Sequence, residues 1–223
     1  MNHPRFTLWN QGRQLVASAV VALLLAGCGS IFVPKHKVGV DAICAAGVTK
    51  PAGKSFRLVG KRSLAGQPVN LSVVAACITA ALAHEGMYEA PTIAPADLLI
   101  EVQCGQESGP RLDPSARETF LELSARPNVG KAMELSREPE IWNVRVTIQG
   151  LSGRVENAMP LLSAVAASFA ATDTKFQTTI DVPQNSATVA SVRETAVKTL
   201  ESRATAAGAS TPAPAAAAGK QGP

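Results

Sequence analysis

Between residues 141 and 149 the chain reads IWNVRVTIQ. Trp142, Val144, Val146 and Ile148 alternate with Asn143, Arg145, Thr147 and Gln149. Four alternations with one polar side fit a strand of an antiparallel sheet that is covered on one face and wet on the other. Such a strand cannot stand alone. It needs partner strands and something apolar laid over the covered face.

Other segments supply both. KVGVDAIC puts Val38, Val40, Ala42 and Cys44 on one side. KSFRLVGK sets Phe56 and Leu58 against Ser55 and Arg57, and ADLLIEVQC sets Leu98, Ile100, Val102 and Cys104 against Leu99, Glu101 and Gln103. KFQTTIDV alternates through Phe176, Ile180 and Val182. Helical spacing begins after Asn70, a fitting N-cap, with Leu71, Val74, Ala75, Ile78 and Leu82 in one stripe and Gly86 at the position beyond the end. A second helix is expected from Pro160, with Leu161, Leu162, Val165 and Phe169 inward. A third is expected over 187–204, with Val189, Val192, Ala196, Val197 and Leu200 inward. The stretch 105–140 stays open between a short helix capped at Asp113 and Pro114 and a strand through Phe120 and Leu121. Strands interleaved with amphipathic helices predict an α+β fold: a small, mostly antiparallel sheet with helices packed on one face. Aromatic residues make up only 4% of the chain, so Val, Leu, Ile and Ala must build the core, anchored by Trp142 and a few Phe.

The N-terminus has a different character. Arg5 and Arg13 precede an apolar run, Leu15 to Ala26, broken only by Ser18, and small residues follow. This is the layout of a secretory signal, and the run is shorter than the roughly 20 residues a permanent membrane span needs. The run ends Leu25-Ala26-Gly27-Cys28, which resembles the lipobox of bacterial lipoproteins. The resemblance implies cleavage before Cys28, a diacylglyceryl group on its thiol and further acylation, with palmitate-type chains holding the protein on a membrane. With Gly29 and Ser30 after the cysteine rather than Asp, it also implies the outer membrane, facing the periplasm. The expected organisation is a signal peptide over 1–27, a tether over 28–36, one α+β domain over 37–203 and a disordered Ala/Pro-rich tail over 204–223. The tail lacks bulky apolar residues.

A second resemblance covers roughly residues 37–203. The order of lipobox, KSFRLVG, a helix ending AALAHEGMYEA, then PADLLIEV and a Trp-led strand is similar to a group of proteobacterial envelope lipoproteins that share a domain of unknown function. Gly86, Tyr88, Pro95, Ala96, Asp97, Leu98 and Leu99 carry the likeness. The later half departs from that pattern, and the family offers no established catalytic residues to transfer.

Loss of residues 1–27 lowers the formal charge from +4 to +2, because Arg5 and Arg13 leave with no acid. That balance argues against nucleic-acid binding. With Cys28 taken by lipid, Cys44, Cys77 and Cys104 remain. In an oxidising envelope they allow at most one internal disulfide. Cys44 and Cys104 share the covered side of the sheet and form the favoured pair; Cys77, on the helix above, is the rival partner.

Catalytic patterns do not emerge. GKSFRLVGK lacks the preceding glycine of a phosphate loop, and there is no nucleophile elbow, zinc-protease helix or paired-cysteine metal site. His36 falls in the tether, and His84 sits near a helix end beside the terminal carbonyls. Asp97 reads as a turn carboxylate and Trp142 as core. Neither a metal nor another cofactor is expected. Lys35, Lys37, Lys50, Lys54, Arg57, Lys61 and Arg62 are opposed only by Asp41 near the anchor. Of these, Lys54, Arg57, Lys61 and Arg62 are the candidate contacts to anionic lipid. The expectation is a non-catalytic lipid-anchored accessory or interaction module with envelope protein partners. The alternative is a carrier or sensor holding an apolar molecule or lipid in a pocket lined by Val74, Val102, Val144 and Val146.

Overall fold

A computed structural model describes residues 33–63, 69–108, 117–131, 138–150 and 153–209, with side chains left out at 61–63 and 207–209. Its strands are β1 (Lys35–Cys44), β2 (Ser55–Ser63), β3 (Tyr88–Glu89), β4 (Leu98–Ser108), β5 (Arg117–Pro127), β6 (Trp142–Gln149) and β7 (Thr178–Pro183). Its helices are α1 (Leu71–His84), α2 (Val155–Ser168) and α3 (Ala187–Ala209).

The seven strands form one sheet in the order β3-β2-β4-β5-β6-β1-β7. β4, β5, β6, β1 and β7 pair antiparallel in succession, while β2 runs parallel to both β3 and β4. The expectation of a small, mostly antiparallel sheet is therefore corrected: the described residues form an α+β fold with a seven-stranded mixed sheet and three helices. The cause is the connection. α1 lies between β2 and β4, and a crossover of that kind returns the chain in the same direction, as parallel pairing requires.

The alternation read from the sequence becomes one continuous apolar face. Val40 pairs with Val146, Val146 with Leu121, and Leu121 with Cys104. Ala42, Val144, Leu123 and Val102 form the next row. All are buried and share one cluster with Val74, Ile78 and Leu82 of α1, Met159 and Leu162 of α2, and Val189 and Val192 of α3. The helices pack on one another, and α1 and α2 rest on the strands.

Local signals explain the elements. The Asn70 side chain accepts from the N–H groups of Ser72 at 3.1 Å and Val73 at 3.4 Å, capping α1. Gly86 has φ 85°, the left-handed conformation that ends the helix at least cost. Glu156 Oε1 accepts the Asn70 N–H at 2.7 Å, joining the start of α2 to that of α1.

Several boundaries differ from expectation. β1 starts at Lys35, two residues inside the expected tether, because Lys35 and His36 pair with Pro183 and Val182 of β7. α2 starts at Val155, so Pro160 sits inside the helix, where the Glu156 carbonyl loses its usual donor. α3 runs to Ala209 rather than stopping near 203, consistent with the helical preference of its alanines. The open stretch resolves toward the strand alternative at Phe120 and Leu121 of β5, while Asp113 and Pro114 lie outside the described residues. Phe176, expected to alternate inward, is 82% exposed beside Lys175, whose φ of 59° breaks the extended run. Val197 is 48% exposed.

Candidate functional site

The segment from Gly86 to Asp97 folds around the start of β2. Gly53 donates its N–H to the Gly86 carbonyl at 2.8 Å, Tyr88 to Lys54 at 3.2 Å, and Ala90 to Phe56 at 2.8 Å. Asp97 closes the arrangement, accepting the Ser55 N–H at 2.9 Å and the Ser55 hydroxyl at 2.8 Å. These bonds from the Ser55 N–H and hydroxyl hold the Asp97 carboxyl below its usual value. Asp97 is thus no local turn carboxylate. It binds the backbone of a strand 42 residues earlier in the chain.

Arg57, a candidate lipid contact, serves the same structure. Its guanidinium donates to the carbonyls of Pro91 at 2.9 Å and Ala94 at 2.7 Å. Lys54 is exposed, and Lys61 and Arg62 belong to β2 with side chains outside the described residues. Lys50 pairs with Glu85 at 3.4 Å and Lys37 with Asp181 at 3.6 Å. Within the basic run, Lys37, Lys50 and Arg57 thus each have a local partner. His84 is exposed at the end of α1.

The uncovered sheet face carries a polar network that sequence reading did not single out. Arg145 binds Glu107 and, at 3.0 Å, Glu122, and its guanidinium lies 4.2 Å from the centroid of the Phe120 ring. Asn143 donates to Glu122 at 3.0 Å and Ser124 at 2.7 Å. The signal was the polar side of β6. Its partners were hidden because β5 lay in the undecided stretch.

A polar cleft opens at the end of this face near the start of β1. It has a volume of about 470 Å³, and its lining includes Lys35, Lys37, Gly39, Glu118, Gln149 and Gln177. Thr147 and Thr179 flank Gly39 across the sheet. A Cβ at Gly39 would stand 2.6 Å from Thr147 Oγ1, so a larger residue would have to displace the Thr147 side chain. The sequence signal was Gly39 itself, the one residue without a side chain on the outward side of KVGVDAIC.

A second depression, of about 410 Å³, runs between the helices and is lined by Val73, Cys77, Pro160, Ala196, Val197 and Leu200, with Glu156 and Arg193 among its polar groups. Val74, Val102, Val144 and Val146, the expected lining of an apolar pocket, lie in the contiguous core.

All three described cysteines are free thiols. The favoured Cys44–Cys104 pairing is corrected. Cys44 is on β1 and Cys104 on β4, with β6 and β5 between them, so their strands stand about 14 Å apart, well beyond the Cα separation a disulfide tolerates. Burial pushes the Cys77 and Cys104 thiols up to about 11. Burial, and then the nearby Asp173 carboxylate, raises Cys44. Cys28 lies outside the described residues. Among the described residues no group of three or more His, Cys, Asp or Glu side chains is placed to hold a metal ion, and no helix is long and apolar enough to cross a membrane.

No protein-family model and no curated protein matches the chain. Among solved structures, two crystal forms of the PelC dodecamer from Paraburkholderia phytofirmans overlap it, one of them a point variant. They are 15% and 14% identical, cover 60% and 61% of this chain and 98% and 99% of their own, and each has a TM-score of 0.41. That score is too low to define a shared fold.

Proposed function

We propose that the protein is a non-catalytic lipoprotein of the bacterial envelope, anchored through Cys28 and acting as an accessory or interaction module at the periplasmic face of the outer membrane. The observation that carries this reading is the spacing of Leu25-Ala26-Gly27-Cys28 from the domain. The first strand begins at Lys35, seven residues past Cys28. A fully extended link of that length reaches only about 23 Å, so acyl chains on Cys28 would hold the domain against the lipid surface. The reading is further supported by the chemistry of the described residues. Cys77 and Cys104 are buried, and the Asp97 and Arg145 side chains are engaged in bonds that hold strands together.

The test is separation of inner and outer membranes from cells expressing the chain. The native protein is expected with the outer membrane, Cys28→Ala is expected to leave it, and Gly29→Asp is expected to shift toward the inner membrane. Unchanged fractionation of Cys28→Ala would overturn the reading. In-cell cross-linking should capture envelope proteins with the native chain and lose them with Cys28→Ala.

A further inference from the structure

The cleft beside β1 has charges of both signs, held apart. Lys37, Gln149 and Glu118 stand in one row across β1, β6 and β5. Glu118 pairs directly with Gln149, and Lys37 lies one step past the Val38–Ile148 pair. The row spans two strand spacings, about 9.5 Å. Lys35 adds a second ammonium at the β1 end, and Asp181 neutralises part of Lys37 through its 3.6 Å contact. Two lysines against Glu118 and Asp181 leave the site close to electrically balanced, with the positive groups on β1 and Glu118 two strands away. A simple anion would satisfy the lysines and face Glu118; a simple cation would do the reverse.

On β6, between the charged ends, lie groups that hydrogen-bond without charge, the Gln149 amide and the Thr147 hydroxyl, while the Gln177 amide and the Thr179 hydroxyl line the cleft on the far side of β1. Gly39 forms the floor. A methyl group there would collide with Thr147 Oγ1 at 2.6 Å and meet Gln177 Nε2 at 3.4 Å. The cleft is thus polar and floored by backbone, with enough room for a small headgroup.

We infer that this cleft binds a phosphoethanolamine group, with the phosphate toward Lys35 and Lys37 and the primary ammonium donating to Glu118. Opposite charges on one short ligand match opposite charges fixed on neighbouring strands. The primary amine matters, because a quaternary ammonium has no N–H to give Glu118. The group has two sources: the headgroup of a phospholipid, or a soluble phosphoethanolamine ester. The inference rests on the anchored reading only for the first source, since the anchor would bring the start of β1 close to the membrane.

The test is calorimetric titration of the full chain, purified in a non-ionic detergent, with glycerophosphoethanolamine, glycerophosphocholine and glycerol 3-phosphate. Glycerophosphoethanolamine is expected to bind at least tenfold more tightly than the other two. Glu118→Gln is expected to abolish that preference, and Lys35→Gln with Lys37→Gln to weaken all three ligands, with unchanged circular dichroism in each variant. Equal affinity for glycerol 3-phosphate, an unchanged preference in Glu118→Gln, or no measurable binding would overturn the inference. A second arm measures flotation of Cys28→Ala with vesicles of phosphatidylcholine alone or mixed with phosphatidylethanolamine. Increased flotation with the mixture supports the lipid source. Unchanged flotation together with solution binding supports the soluble source. Neither arm depends on acylation of Cys28, so the cleft and the anchor can fail separately.

Discussion

Asp97 and Ser55 bind each other in both directions. The Asp97 carboxylate accepts from the Ser55 N–H and hydroxyl, and the Asp97 N–H donates to the same hydroxyl oxygen at 2.9 Å. The pair sits where β2 and β4 begin to run parallel, one residue before Phe56 meets Leu98. It sets the register of the two strands joined through α1.

Removing either partner should loosen that junction. Ser55→Ala and Asp97→Ala are each expected to destabilise the domain by about 1–2 kcal/mol, the modest end for charged hydrogen bonds because the carboxylate is solvent-exposed. Urea denaturation of both single variants and the double variant measures this. Less-than-additive losses are expected, and full additivity would show that the two residues act independently.

The same pair has a pH signature. The folded-state pKa of Asp97 lies below its ordinary value of 3.8, so its contribution is present above that value and lost as pH falls through the lower folded-state pKa. The stability difference between the native chain and Asp97→Asn should be constant near neutrality and shrink below pH 3.8. A difference that grows on acidification would contradict the assignment.

Trp142 tests the core. It is fully buried, and its Nε1 has no hydrogen-bond partner among the described residues. Trp142→Ala is expected to cost about 3–5 kcal/mol through the cavity it leaves. Trp142→Phe should cost clearly less, since no hydrogen bond is lost. Thermal unfolding of the two variants distinguishes packing from a polar role.

Thiol reactivity tests the cysteine arrangement. In Cys28→Ala, Cys44 should react first with Ellman's reagent, while Cys77 and Cys104, buried and pushed up to about 11, should react only on unfolding. Three thiols in the unfolded, unreduced chain are expected. A single thiol would show that a disulfide had formed.

Arg145 holds the open face together through Glu107, Glu122 and the Phe120 ring. Arg145→Ala leaves two carboxylates without their shared cation and uncovers Phe120. A loss of about 1–3 kcal/mol is expected, partly recovered in Arg145→Lys, which keeps charge but not the planar contact. Chemical denaturation at low and high salt separates the charge from the packing contribution.

Much of this architecture was legible in the sequence because period-2 alternation and helix caps act locally. Val38, Val40 and Ala42 on one side of β1, and Asn70 and Gly86 at the ends of α1, needed no knowledge of distant residues. Strand direction was not legible in the same way. Phe56 and Leu58 alternate identically in parallel and antiparallel partners, and the helix between β2 and β4 was the clue to the parallel choice. Cys44 and Cys104 were correctly placed on one face, but strand order, which alternation does not encode, separates them by two strands. The cleft was hidden for a related reason: Lys35, Glu118 and Gln177 meet only through pairings between β1, β5, β6 and the segment before β7.

The anchoring of the domain is tested most directly by the intact mass of the mature protein purified from membranes. The account predicts a chain beginning at Cys28 and carrying a diacylglyceryl group and an additional acyl chain, with no such product from Cys28→Ala. A mature chain that begins elsewhere, or that begins at Cys28 without added lipid mass, would contradict it.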